Sequence, residues 1–148
     1  LLSISIALSL SFGLTAFEQL TDSKGRILYL IQEAKTWEGA DSYCESLFPR
    51  GRLVSVRDET EAHNIAELIN DLHSSYHWRG QLTYYVGGRW SVMENSWINT
   101  DGTRTSHPRQ LCDGAAMTLG ILWKRGDIMP TCNPSYRKMF FICADSKE

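Results

Sequence analysis

The chain has almost no excess of one charge. Its 148 residues hold 15 Lys and Arg against 17 Asp and Glu, a formal net charge of −2. Spread over both signs, that balance gives no electrostatic handle for nucleic acid or an anionic membrane. No C-x-x-C pair occurs among the four cysteines, so a zinc site is not expected, and neither is any other metal or cofactor. No serine stands in a G-x-S-x-G elbow, and His63, His73 and His77 read as surface histidines rather than general bases, so catalysis is not expected. Asn-x-Ser/Thr acceptors are missing because Pro134 spoils the one candidate. Repeats and low-complexity linkers are missing too. What remains is 43% hydrophobic and 22% charged residues, the composition of one packed domain.

Charge is also absent from residues 1–17, LLSISIALSLSFGLTAF, which precede the polar stretch EQLTDSKGR. An apolar run ending in small residues reads as a secretory signal, with cleavage after Gly13 or Ala16. The expectation is therefore a signal peptide over residues 1–16, truncated at its own N-terminus, and a secreted, extracellular product. The rival reading is the tail of a signal anchor, for which the run is short of the roughly 20 residues a span needs. Export places Cys44, Cys112, Cys132 and Cys143 in an oxidising compartment. An even count there implies two disulfides, with three connectivities open.

Residues 26–31, RILYLI, are β-branched and aromatic and predict a strand. In TWEGADSYCESL, Trp37, Ala40, Cys44 and Leu47 recur at helical spacing, with Thr36 as N-cap, so Cys44 faces the core. Pro49 and Gly51 end that helix, and residues 53–56 predict a second strand. Asp58 with Glu61 forms a capping-box pattern, after which Ala62, Ile65, Ala66, Ile69 and Leu72 line one helical face. Beyond the polar HSSYHWRGQ come short strands and turns: TYYVGGRW, a hairpin signal at Asp101-Gly102, GAAMTLGILW and MFFICA. Helices first and strands after is an α+β order.

These segments in this order resemble a C-type lectin-like domain over residues 26–145. YYVGGR stands where that family has a Trp-Ile-Gly-Leu strand, matching at Val86 and Gly87. WINTDG resembles the family's W-x-W-x-D-G, keeping Trp97, Asp101 and Gly102 but with Asn99 for the second Trp. FFIC resembles the closing F-I-C. The resemblance implies two helices with small antiparallel sheets, and disulfides Cys44–Cys143 and Cys112–Cys132. It also implies recognition outside the cell, of a glycan or a protein, without catalysis.

The departures concern calcium. Family members that bind sugar through Ca²⁺ carry Glu-Pro-Asn or Gln-Pro-Asp in a long loop and Trp-Asn-Asp further on, the several oxygen ligands a hard cation requires. Here the segment reads TRTSHPRQL, and Trp123 is followed by Lys124 and Arg125, so a calcium-independent module is expected. The alternative of a calcium-dependent carbohydrate-binding lectin stands opposite it. Candidate ligand-binding residues are Trp90, as a stacking face or a core residue, and Arg104, His107 and Arg109, as an anion site or a solvated loop. Arg125, Gly126 and Asp127 form an Arg-Gly-Asp in a loop expected to be exposed. It reads as a turn using glycine or as a docking signal for an integrin-type receptor, making the chain an adhesion ligand or antagonist.

Overall fold

The computed structural model describes residues 17–76, 83–106, 118–122, 126–131 and 138–145. Residues 1–16, His77, His107, Arg109, Cys112, Arg125 and Cys132 lie outside the described residues, as do the side chain of His73 and the second expected disulfide.

The runs ILYLI and MFFICA are apolar at consecutive positions, the pattern of strands covered on both faces. They form β2 (Ile27–Lys35) and β9 (Met139–Asp145), paired antiparallel with Leu30 opposite Ile142 and Tyr29 opposite Cys143. On its other side β9 runs parallel to β4 (Thr83–Ser91), meeting it at Tyr85 and Phe141. Because successive side chains point to opposite faces, these strands feed two cores. Leu28, Leu30, Tyr84, Val86 and Ile142 pack with Ala62, Ile65 and Ile69 of the second helix. The residues between them, Ile31, Tyr85, Phe141 and Cys143, pack with Trp37, Ala40 and Cys44 of the first. The sheet is thus sandwiched between the helices, and the expected α+β class with two helices holds among the described residues.

The first helix, α1 (Trp37–Leu47), starts as read: the Thr36 side chain accepts from the Gly39 amide at 3.1 Å. Cys44 is joined to Cys143 with Cα atoms 5.4 Å apart, stapling helix to central strand across 99 residues of sequence. Asp41 carries no motif in the sequence, yet it is buried beside Cys44. Its carboxylate accepts from Arg52 (Nη2, 2.8 Å; Nε, 3.1 Å) and from the Leu53 amide (3.1 Å), clamping α1 to the short strand β3 (Gly51–Leu53). The second helix, α2 (Glu59–Tyr76), buries its expected apolar residues, Ala62, Ile65, Ala66, Ile69 and Leu72.

Its cap departs from the box. Asp58 does accept from the Glu61 amide (2.9 Å), but Glu61 reaches past Asp58 to the Arg57 amide at 2.8 Å. The same carboxylate takes Arg57 Nη1 at 3.2 Å and Lys24 Nζ at 3.1 Å, charge-assisted bonds that hold it away from the Asp58 amide.

One strand expectation is corrected, and one strand is unforeseen. Residues 54–56 are buried but are not a strand. The ladder stops at Leu53 because the chain then crosses the sheet, with Val54 donating to Ile142 O (2.9 Å) and accepting from Gly87 N (2.7 Å). Upstream of residue 26 there is a strand the sequence does not announce, β1 (Phe17–Thr21), paired antiparallel to β2 from Phe17 opposite Ile31. Phe17, the last residue of the uncharged run, thus belongs to the sheet.

Candidate functional site

From β4 the chain folds back twice, giving β5 (Ser96–Ile98) and β6 (Arg104–Thr105) and a three-stranded ribbon at one end of the sheet. Trp90 lies opposite Trp97, and Thr105 opposite Trp97 in turn. The two indoles meet edge to face with centroids 5.3 Å apart, an arrangement aromatic pairs favour. Trp97 is buried and Trp90 half-buried against the larger core, so both are chiefly packing residues.

Strand parity puts Arg89, Ile98 and Arg104 in the neighbouring row, on the opposite face. Trp90 and Arg104, each a separate candidate ligand-binding residue, therefore point to different sides. Arg104 is exposed and bonds Glu94 Oε1 at 2.6 Å and Ser96 Oγ at 3.0 Å, while Arg89 approaches Glu38 at 3.7 Å.

Between β4 and β5 the turn carries two large apolar side chains into solvent. Val92 is 83% exposed and Met93 97% exposed. The turn is pinned at its base by Glu94 N donating to Ser91 Oγ (3.2 Å). Neither residue stands out in the sequence. The available signal is their place between Ser91 and Glu94, where a turn with apolar residues has no core to bury them.

The other end of the ribbon is locked. Thr100, Asp101 and Gly102 form a three-residue loop closed by Asn99 N to Thr103 O (2.7 Å) and Gly102 N to Asn99 O (2.9 Å), with Gly102 at φ +87°. Asn99, standing where the resembled motif has its second Trp, is 4% exposed. Its Nδ2 donates to Thr105 Oγ1 (2.9 Å), Thr103 Oγ1 (3.3 Å) and Val56 O (3.3 Å), and its Oδ1 accepts from Val56 N (3.3 Å).

Asp101 turns inward as well. It accepts from the Thr103 amide (2.9 Å) and approaches Arg57 Nη2 at 3.5 Å. Burial alone would raise its pKa, but bonds from Thr103 and Ser55 and the Arg57 charge hold it below the ordinary carboxylate value. Among the described residues no group of three or more His, Cys, Asp or Glu is placed to hold a metal ion.

The Arg-Gly-Asp segment belongs to a different hairpin, β7 (Thr118–Leu122) with β8 (Asp127–Thr131), in which Leu122 faces Asp127. Asp127 is half-buried as the first residue of its strand. Gly126 corrects the expectation of an exposed loop tip: it is buried, at φ +73°, and a Cβ there would stand 2.5 Å from His63 Nδ1. The side chain of His63 on α2 takes the space beside this glycine, so a Cβ there would have to displace it as well as sit in the left-handed region.

Comparison with known proteins agrees with this architecture. The chain is 31% identical over 91 residues to a snaclec of Echis carinatus, one subunit of a protein named for binding coagulation factors IX and X; the match covers 58% of this chain and 66% of that one. To the C-type lectin TsL of Trimeresurus stejnegeri it is 28% identical over 107 residues, covering 72% and 65%. The matches thus span just under two thirds of those relatives' own lengths, and about half of other lectins matched. Among solved structures, the SPL-1–GlcNAc complex superposes with a TM-score of 0.66 at 18% identity, over 89% of this chain and 93% of that one. No family model matches the chain.

Proposed function

Since this chain is a C-type lectin-like domain, we propose that it acts outside the cell as a non-catalytic, calcium-independent recognition module whose ligand is a protein. The observation that carries this reading is the turn between β4 and β5. Two adjacent apolar side chains, Val92 and Met93, stand almost fully in water on a ribbon whose frame is fixed by the Trp90–Trp97 contact and by Asn99. Exposed apolar groups presented on a rigid support suit a protein partner that covers them, and the rim of ion pairs at Arg89 and Arg104 suits the polar border of such an interface. A sugar ligand held through calcium has less support, because TRTSHPRQL holds no acidic residue and Trp123 is followed by Lys124 and Arg125, which offer no oxygen ligands to a hard cation. Similarity to a snaclec named for binding coagulation factors IX and X agrees with a protein ligand.

Export belongs to the same proposal. Residues 1–16 act as its secretory signal, an apolar run without charge that ends in small residues. Among the described residues no helix is long and apolar enough to cross a membrane.

The deciding experiment applies the oxidised domain, and a Val92→Ser/Met93→Ser double variant, to arrays of extracellular proteins and of glycans, in Ca²⁺ and in EDTA. Expected is protein binding that survives EDTA and is lost in the variant. Glycan binding abolished by EDTA overturns the reading, as does protein binding indifferent to the substitutions.

A further inference from the structure

A concavity lies away from the ribbon's apolar turn, bounded by the β1–β2 turn, the start of β2, the residue after α1, the approach to α2 and the end of β9. It is a cleft of ≈ 550 Å³, within the range of small-molecule sites. Its lining is of two chemical kinds. One is apolar: Tyr29 and Phe48, with ring centroids 5.0 Å apart, beside Ile27, which is 41% exposed, and Ala144. The other carries Lys24, Arg26 and Arg57 in front of Glu61 and Asp101.

Glu61 and Asp101 are buried with the cations standing forward, while Asp145, the third carboxylate of the lining, is 44% exposed and lies 3.5 Å from Arg50 Nε. Glu61 accepts from the Arg57 amide, from Arg57 Nη1 and from Lys24 Nζ. Asp101 is engaged by Thr103 and Arg57, and Asp22, behind Arg26, accepts from the Lys24 and Arg26 amides and from Arg26 Nε. Arg26 Nη1 donates to Ser55 O at 3.0 Å. The acceptors are therefore in use while donors remain. Arg57 Nε, Arg26 Nη2 and the remaining protons of Lys24, whose side chain is 67% exposed, meet no acceptor among the described residues. A cleft lined by both spare cationic donors and an aromatic pair suits a ligand with an acceptor head and a flat apolar body.

We propose that this cleft is a binding site for a small anionic amphiphile: one carboxylate, sulfonate or sulfate on an aromatic or branched apolar body. The head is held by Lys24 and Arg57 through charge-assisted hydrogen bonds, and the body lies against Ile27, Tyr29 and Phe48. The local carboxylates already balance the cations, so recognition rests on directed donors rather than on a positive field. This goes beyond the protein partner proposed for the ribbon and does not depend on it.

The test uses two fluorescent probes of nearly the same shape, anilinonaphthalene sulfonate and its uncharged counterpart phenylnaphthylamine, titrated into the oxidised protein. Lys24→Gln and Ile27→Asp alter side chains that already face solvent and serve as variants, with near-ultraviolet circular dichroism to confirm their packing. Expected is one saturable sulfonate site, weakened about five- to tenfold by Lys24→Gln, roughly the weight of one charge-assisted bond. Ile27→Asp abolishes binding of both probes, while the uncharged probe binds more weakly than the sulfonate and ignores Lys24→Gln. Absence of a saturable sulfonate site overturns the proposal. So does equal binding of the two probes, or sulfonate binding untouched by either substitution.

Discussion

Asn99 offers the sharpest test of how the ribbon is held. Replacing it with alanine removes one amide bond of good length, to Thr105 Oγ1 at 2.9 Å, and three longer ones at 3.3 Å. Val56 O keeps a partner, since Thr105 Oγ1 donates to it at 2.6 Å, but the buried Val56 amide is left with none. The lost good bond accounts for about 1 kcal/mol and the stranded amide for about 1–3. The lengths of the other contacts argue for the lower part of that range, so Asn99→Ala should cost about 2–3 kcal/mol.

Asn99→Asp keeps the shape and separates hydrogen bonding from packing. One carboxylate oxygen would then face Val56 O, which cannot donate, so the charged form is disfavoured and the folded pKa of the new carboxyl lies above its unfolded value. The variant is therefore weakest at neutral pH and recovers, relative to the parent, as pH falls through that raised pKa. Urea unfolding of oxidised protein, followed by tryptophan fluorescence at pH 7 and pH 5, reads both effects. An Asn99→Ala cost under about 0.5 kcal/mol, the range of ordinary surface changes, refutes the argument. An Asn99→Asp deficit that does not shrink at the lower pH refutes it equally.

The buried carboxylates set the acid response. Burial would raise Asp22, Glu61 and Asp101, but hydrogen bonds and the arginine charges hold all three below their ordinary values. Their stabilising effect is present above the unfolded pKa near 4 and is lost as pH falls through the depressed folded values. Glu18, raised by burial, acts in the opposite sense. The urea midpoint should hold from pH 7 to 5 and fall below about pH 4, and Glu61→Gln should flatten that fall. Replacing Cys44 and Cys143 together by alanine should cost on the order of 4–5 kcal/mol for a loop of this size, measured by the same unfolding. Peptide mapping of unreduced protein should join Cys112 to Cys132, and any link from either to Cys44 contradicts the pairing. Gly126→Ala should cost about 1–3 kcal/mol, from a backbone in the left-handed region and a Cβ against His63, with a lowered melting temperature as the readout.

Periodicity and short-range chemistry carried much of the fold. The helical faces of α1 and α2, the Thr36 cap and the Asp101-Gly102 turn depend on residues within a few positions of one another, so the sequence by itself determined them. Cys44 on a core-facing helical position was legible for the same reason, although its partner was named through resemblance. Asn99 in place of a tryptophan was visible as a departure, but not its task, because its partner Val56 lies 43 residues away. Pairing across the sheet decided the rest. β1 exists because the edge of β2 was open to it, residues 54–56 leave the ladder because the chain crosses there, and Asp41 is buried because Arg52 and Leu53 fold back onto it. Gly126 has the local signature of a surface glycine, yet His63, far off in sequence, packs against it. Val92 and Met93 look like any apolar pair until the turn between β4 and β5 carries them away from both cores. A sequence shows which residues seek burial; only the tertiary arrangement decides which of them find it.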